Sequence, residues 1–266
     1  MRDMSVMLCA LNTWTGGVPM ASESSVQPMS TAQTLVGIFF SPARVFESFR
    51  ERPRFLSAAL IVLASTVFLS VLFLNRMGYE RVIRSAIETS PRAATLTPEQ
   101  RERAIGIYLS PLGKAITYAK PIIATILGIA AGAAIYLLGS FLAKRTMHYK
   151  QVLAVWVYSS LPPTIITTLL GVLILFSRSA KDIDPMMRDT GIVRTNLSVL
   201  IDPSLHPMLA VALRSFDLFA FYGLFLAALG LRKTARIQPA ISWAIVLVPW
   251  IIGLLFQLAR AALLKA

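Results

Sequence analysis

The chain has 266 residues and a formal net charge of +13, with 56% hydrophobic and only 15% charged residues. Soluble domains carry about 25% charged residues, so this composition argues against a water-soluble enzyme, which would have too few polar side chains to cover its surface. The single cysteine, Cys9, provides neither a disulfide framework nor a cysteine metal cluster.

The first 30 residues are predicted to be a disordered tail or a spurious extension of the chain. They contain no basic segment followed by an apolar core, so a signal peptide is not expected. Met20 and Met29 are alternative start positions. The folded chain is therefore expected to begin near Thr31.

Residues 31–54 are predicted to be an amphipathic segment, with a helix that starts at the Ser41-Pro42 pair. An apolar stripe lies opposite basic side chains in this segment. One interpretation is a helix in the membrane interface; the other is a helix packed against the protein's own spans. In the first interpretation the anchoring residues are Phe46, Phe49, Arg44 and Arg50.

Residues 55–264 are predicted to form an all-α, polytopic membrane domain with five transmembrane helices. Four of the spans contain long runs without any charged residue, and about 20 apolar residues suffice to cross the hydrocarbon core as a helix. Helices are required because the backbone must satisfy its own hydrogen bonds in lipid. The predicted spans are about 55–75, 118–143, 152–176, 208–231 and 239–260.

Two short helices are predicted between the first and second spans. Residues 79–89 have helical composition, and Thr97 with Gln100 has the spacing of a capping box around Pro98. Both helices are expected to lie on the outer membrane face.

The short loops predict the topology. Residues 144–150 and 232–238 carry basic side chains and no acid, whereas the two long loops, 76–114 and 177–206, contain both signs. Short basic loops stay in the cytoplasm. We therefore expect a bacterial cytoplasmic (inner) membrane protein with its N-terminus inside and its C-terminus outside.

Arg214 and Asp217 are the most informative polar residues, because charges at membrane depth are costly and often functional. Three residues apart on one helix, they are predicted to form an intramembrane ion pair. The pair is either structural or part of a binding or relay site.

Two further features concern helix geometry. Pro162 and Pro163 are predicted to kink the third span, either as a packing feature or as a transporter-type helix break. Gly128 and Gly132 form a G-x-x-x-G pattern that permits close helix packing, within the monomer or in a dimer.

The sequence predicts no catalytic residue, no metal site and no cofactor. His148 and His206 fall on opposite membrane faces in the predicted topology, and no metalloprotease, nucleophile-elbow or phosphate-loop motif is present. The basic clusters lie in separate short loops, which favours topology signals and contacts with anionic lipids over nucleic-acid binding.

The order of these elements resembles the Yip family of five-span membrane proteins (Ypt/Rab-interacting proteins), in its bacterial branch. The acidic-aromatic Asp-Leu-Tyr-Gly-Pro segment of many eukaryotic members is missing, which favours a bacterial member. The segments that carry the resemblance are LVGIFFSPARVFESFRERPRF, YKQVLAVWVYSSLPP and RSFDLFAFYGLFLAALGLRK.

The resemblance implies a non-enzymatic integral membrane protein involved in membrane organisation, trafficking-type processes or partner recruitment. Its expected partners are membrane lipids, including anionic ones, and a protein partner or a second copy of the chain. The alternative function is a small transporter or channel-like protein that uses the proline-broken third span with Arg214 and Asp217.

Overall fold

The computed structural model describes residues 29–90, 93, 95–179, 183, 185, 191–202 and 205–263, and the predicted tail, 1–30, lies almost wholly outside them. A 3₁₀ turn forms at Leu197–Leu200. The α-helices are α1 (Thr31–Phe40), α2 (Pro42–Ser48), α3 (Leu56–Met77), α4 (Tyr79–Glu88), α5 (Pro98–Leu109), α6 (Pro111–Leu142), α7 (Tyr149–Ser177), α8 (Pro207–Arg214), α9 (Leu218–Ala235) and α10 (Pro239–Leu263).

The all-α prediction with five spans is confirmed. The helices long and apolar enough to cross a membrane are α3, α6, α7, α9 and α10. Within the described residues no strand forms. Helices prevail because a continuous apolar run leaves each backbone N–H and C=O paired inside its own segment.

Helix α7 lies at the centre of the bundle and contacts α3, α6 and α9, while α10 packs on the outer side of α9. One face of the first half of α7 is fully buried, with Val152, Val155 and Tyr158 in the main hydrophobic core. A helix that is apolar all round has neighbours on several sides, and α7 shows that arrangement.

The two glycines of the G-x-x-x-G pattern have different surroundings. A Cβ atom at Gly132 would overlap the indole ring of Trp156 on α7, whereas a Cβ at Gly128 would meet nothing within 4 Å. Trp156 also packs edge-on against Tyr136, with ring centroids 4.9 Å apart. The close α6–α7 contact thus depends on Gly132, whereas Gly128 is exposed and makes no helix contact within the described part of the monomer.

Two predicted features of the spans need correction. The fourth span begins at Leu218 rather than near residue 208, because the chain leaves helical geometry between α8 and α9. The third span is not broken: α7 is continuous through Pro162 and Pro163. The transporter alternative therefore loses its discontinuous helix.

The two short helices between the first and second spans, α4 and α5, are confirmed. The α5 capping box is complete: the Gln100 N–H donates to the Thr97 hydroxyl, and the Thr97 N–H donates to the Gln100 side chain at 2.9 Å. Arg84 of α4 bridges to Glu102 of α5 and to Glu80. The hydrogen bonds that the Arg84 guanidinium donates to these carboxylates, first of all to Glu102, raise the pKa of Arg84.

The glycine contacts give a matched test of packing. We expect Gly132→Val to lower stability by about 1–3 kcal/mol, since overpacking forces Trp156 and α7 to move. Gly128→Val, in the same helix but facing open space, is expected to leave stability nearly unchanged. Thermal unfolding in detergent measures both; equal losses in the two variants would contradict the assigned contact.

Candidate functional site

Two features stand out as candidate sites: the N-terminal unit, defined as α1, α2 and the turn that follows α2 as far as Arg50, and two cavities beside Asp217, together called the Asp217 cavity. The N-terminal unit is built into the bundle by the apolar face of α2. Val45, Phe46 and Phe49 are each 0% exposed. The Phe46 ring lies beside Gly230 of α9, where a Cβ atom would come within 3.0 Å of it, and Phe49 packs on Tyr158 with ring centroids 4.8 Å apart.

Polar contacts hold the same unit in place. The Lys233 ammonium donates to the Glu47 carboxylate at 2.7 Å, and the Thr234 hydroxyl donates to the Phe46 carbonyl at 3.0 Å. The Arg50 guanidinium donates to the Lys233 carbonyl at 2.7 Å. We call this set of contacts, together with the packing of the Phe46 ring against Gly230, the α2 clamp.

A buried hydrogen bond fixes α1 to the bundle. The Tyr158 hydroxyl of α7 donates to the Thr34 hydroxyl at 3.0 Å, and Thr34 is 2% exposed. Tyr158 lies nine residues inside the first residue of α7, roughly 14 Å along the helix axis. Thus α1 lies against the membrane domain below the end of the spans.

The anchoring residues need correction as a consequence. Phe46 and Phe49 cannot enter the membrane interface, because they are buried inside the protein, and Arg50 is bonded to α9. Arg44 is exposed. The second of the two interpretations of this stripe, packing against the protein's own spans, is the one that the structure shows.

The exposed apolar surface of the unit lies instead on α1. Val36 is 59% exposed and Phe40 is 82% exposed. With Ala32 they are spaced four residues apart on one helix face and line an open groove together with Arg44. We call Ala32, Val36 and Phe40 the α1 stripe.

Asp217 is the N-cap of α9. Its carboxylate accepts hydrogen bonds from the N–H groups of Phe219 at 2.9 Å and Ala220 at 3.0 Å, and from the Thr195 hydroxyl at 2.5 Å. Arg214 ends α8 and is exposed, and no salt bridge joins it to Asp217. The predicted ion pair is wrong, because the helix break at 215–217 removes the helical spacing on which it relied.

The Asp217 carboxylate lies alongside the second half of α7 and not beyond its end. Gly223 of α9 is beside Ser159 and Pro163, near the middle of α7, and Asp217 lines the same cavities as Thr164 and Thr167. Thr167 precedes the last residue of α7 by ten residues, roughly 15 Å along the axis. The non-helical chain that meets Asp217 therefore lies below the end of a neighbouring span.

Two cavities, of about 430 and 370 Å³, adjoin Asp217. Threonine and serine hydroxyls line them; those of Thr66, Ser70, Thr167 and Thr168 donate to carbonyls within their own helices, so their oxygens remain available as acceptors. Irregular backbone at membrane depth is tolerated where it is buried in protein or lines a water-filled space. The Asp217 cavity suits water, a cation or a small solute that donates hydrogen bonds.

Sequence reasoning missed most of these partners. Thr34 and Thr195 carry no motif of their own, and Gly230 belongs to a segment that carried the family resemblance without a predicted contact. The roles of all three depend on contacts between residues far apart in the chain. For Asp217 a local signal existed, since an aspartate directly before an apolar helical run is a typical N-cap.

Residues 36–260 match the Yip1 domain. The chain is similar to the membrane protein YknW of Bacillus subtilis (strain 168), with 26% identity over 240 residues, which is 89% of this chain and 95% of the relative. No solved structure matches the chain. The matched region includes α2, the first four spans, residues 239–260 of α10 and Asp217.

The assignment of Asp217 as a helix cap predicts a pattern of stabilities. We expect Asp217→Ala to cost about 1 kcal/mol or more, because the α9 N–H groups lose their acceptor. Asp217→Asn should retain most of the stability, since asparagine is also a good N-cap.

The control for this prediction is Arg214→Ala, expected to change stability by less than about 0.5 kcal/mol, as exposed substitutions usually do. Combined with Asp217→Ala, its effect should be additive. Thermal unfolding of the four variants in detergent measures this, and strong coupling between the two positions would restore the ion-pair interpretation.

Proposed function

The chain belongs to the Yip1 domain family, and from this premise we propose that it is a non-enzymatic membrane-organising protein that acts through its N-terminal unit. The observation that carries the proposal is the α1 stripe: an exposed apolar helix face on a unit that is otherwise fixed to the spans. In this proposal the unit lies on the cytoplasmic face of a bacterial membrane.

The α2 clamp supports this function because it holds α1 at a fixed position beside the bundle. A helix of this kind inserts its apolar face among lipid headgroups and acyl chains. Burying one large apolar side chain contributes about 1.5–3 kcal/mol. The transfer of Phe40 and Val36 from water into lipid is therefore favourable.

Insertion on one face adds volume to one leaflet only. The unit is on the same membrane face as the first residues of α7 and the last residues of α9, since it contacts both. A bundle with the inserted α1 stripe takes up more volume in this leaflet than in the other. This difference in volume would change how the surrounding lipids pack. Recruitment of a protein partner to such a site would use the same exposed stripe.

The test is the double variant Val36→Gln with Phe40→Gln, reconstituted in vesicles at increasing protein-to-lipid ratios. We expect the wild-type chain to narrow or tubulate vesicles, as seen by electron cryomicroscopy, and the variant to lose most of this effect while keeping its thermal stability.

The matched control is Phe141→Gln with Leu142→Gln, at the end of α6. These side chains are 73% and 71% exposed, comparable to the α1 stripe, but lie outside the N-terminal unit. The control should shape vesicles like the wild-type chain. If the α1 double variant narrows or tubulates vesicles as much as the wild-type chain does, the proposed function is contradicted.

The Asp217 cavity favours a second candidate function, the binding and passage of a small polar or cationic solute. The supporting observation is that one carboxylate adjoins both hydroxyl-lined cavities. In vesicles that report cation or solute flux, Asp217→Asn should then abolish a wild-type signal while folding is retained. No flux with the wild-type chain over a panel of monovalent cations would eliminate this candidate.

A further inference from the structure

A further groove, outside the two candidate sites, lies at the opposite end of α3 from the N-terminal unit, between α4, α5 and α6. It encloses about 770 Å³, and most of its lining is apolar. The α4 helix lines it with Val82, Ile83, Ala86 and Ile87, and α5 adds Ala104 and Tyr108.

The α6 wall of this groove is a single stripe that runs along the span. It consists of Ile116, Lys120, Ile123 and Leu127, spaced by four, three and four residues, which places them on one helix face. Ile123 and Leu127 are 55% and 62% exposed. The groove thus offers an apolar track that continues from α4 and α5 onto the lipid-facing side of α6.

Lys120 lies at the level where lipid headgroups are expected. The charge-free part of α6 starts at the next residue, Pro121, and continues to the end of the helix. Ile123 and Leu127 are therefore at acyl-chain depth, about 5 and 11 Å below Lys120 along the axis.

The Lys120 ammonium has no partner among the described residues: it makes no hydrogen bond or ion pair, and it is exposed. Lys114, two turns earlier on the same helix, differs in this respect. Its ammonium is held over the Tyr79 ring, 5.8 Å from the ring centroid. A cation that lacks a protein partner beside an apolar track is complementary to a phosphate attached to an acyl chain.

We infer that this groove binds one anionic phospholipid, with its phosphate at Lys120 and an acyl chain along Ile123 and Leu127. An anionic headgroup is favoured over a zwitterionic one because a choline or ethanolamine cation on the headgroup competes with the lysine for the phosphate. The site lies on the opposite membrane face from the α1 stripe and is independent of the proposed function.

The experiment titrates the full-length chain in detergent with dioleoyl phosphatidylglycerol or with dioleoyl phosphatidylcholine, which share acyl chains, and counts bound lipids by native mass spectrometry. We expect the first bound phosphatidylglycerol to have a dissociation constant about fivefold lower than that of the first bound phosphatidylcholine. One basic residue produces an effect of this size at a membrane surface. Added salt should reduce the preference.

Lys120→Gln should abolish this preference, and the matched control Lys114→Gln should keep it. An equal preference in the Lys120→Gln variant and the wild-type chain would overturn the assignment of the headgroup. Loss of the preference in the control instead would show that general surface charge is responsible, and would overturn it as well.

A second pair of variants tests the acyl track without changing charge. Ala124→Trp fills the groove beside Ile123, whereas Ala134→Trp adds the same bulk at an exposed position of α6 outside it. We expect the first to weaken binding of both lipids at least fivefold and the second to leave it unchanged. Unchanged binding in both variants would overturn the proposed site, and the charge variants decide alone if Ala124→Trp does not fold.

Discussion

The packing of the Phe46 ring against Gly230 is the contact on which the position of the N-terminal unit depends. A Cβ atom at Gly230 would come within 2.7 Å of Val155 on α7 and 3.0 Å of the Phe46 ring, so the glycine allows both side chains to pack closely against α9. Once Phe46 is seated, Glu47 reaches Lys233 and the Phe46 carbonyl reaches Thr234. The amphipathic segment before the first span is thereby part of the membrane domain, and its remaining exposed apolar face is the α1 stripe.

The first N–H groups of α9 have no partner within their own helix, and this explains why Asp217 stands directly before it. Helix α9 has 18 residues, against 29 in α7, and its first turn lies alongside the second half of α7, next to the cavities. Asp217 satisfies two of these N–H groups, and Thr195 compensates the carboxylate from the neighbouring segment. The Asp217 side chain thus has a structural function as a helix cap, whatever solute its cavity accepts.

Much of the fold was predictable because its causes are local. Charge-free runs predict the spans, and Thr97 with Gln100 predicts the start of α5. The direction in which Phe46 and Phe49 point was not predictable, since an apolar stripe looks the same whether it faces lipid or protein. The Arg214–Asp217 pair failed because its geometry assumed a continuous helix, and the break at 215–217 follows from pairing of residues 195–197 with 216–218.

The most direct test of the account is the environment of residue 40 in a reconstituted membrane. Single nitroxide labels at Phe40→Cys, Leu60→Cys and Glu51→Cys, in a chain with Cys9 replaced by serine, would be compared for accessibility to oxygen and to a water-soluble nickel complex. The account predicts that residue 40 matches Leu60, which is 64% exposed on the first span, with high oxygen and low nickel accessibility. A label at residue 40 as accessible to nickel as the one at Glu51 would contradict insertion of the α1 stripe into lipid.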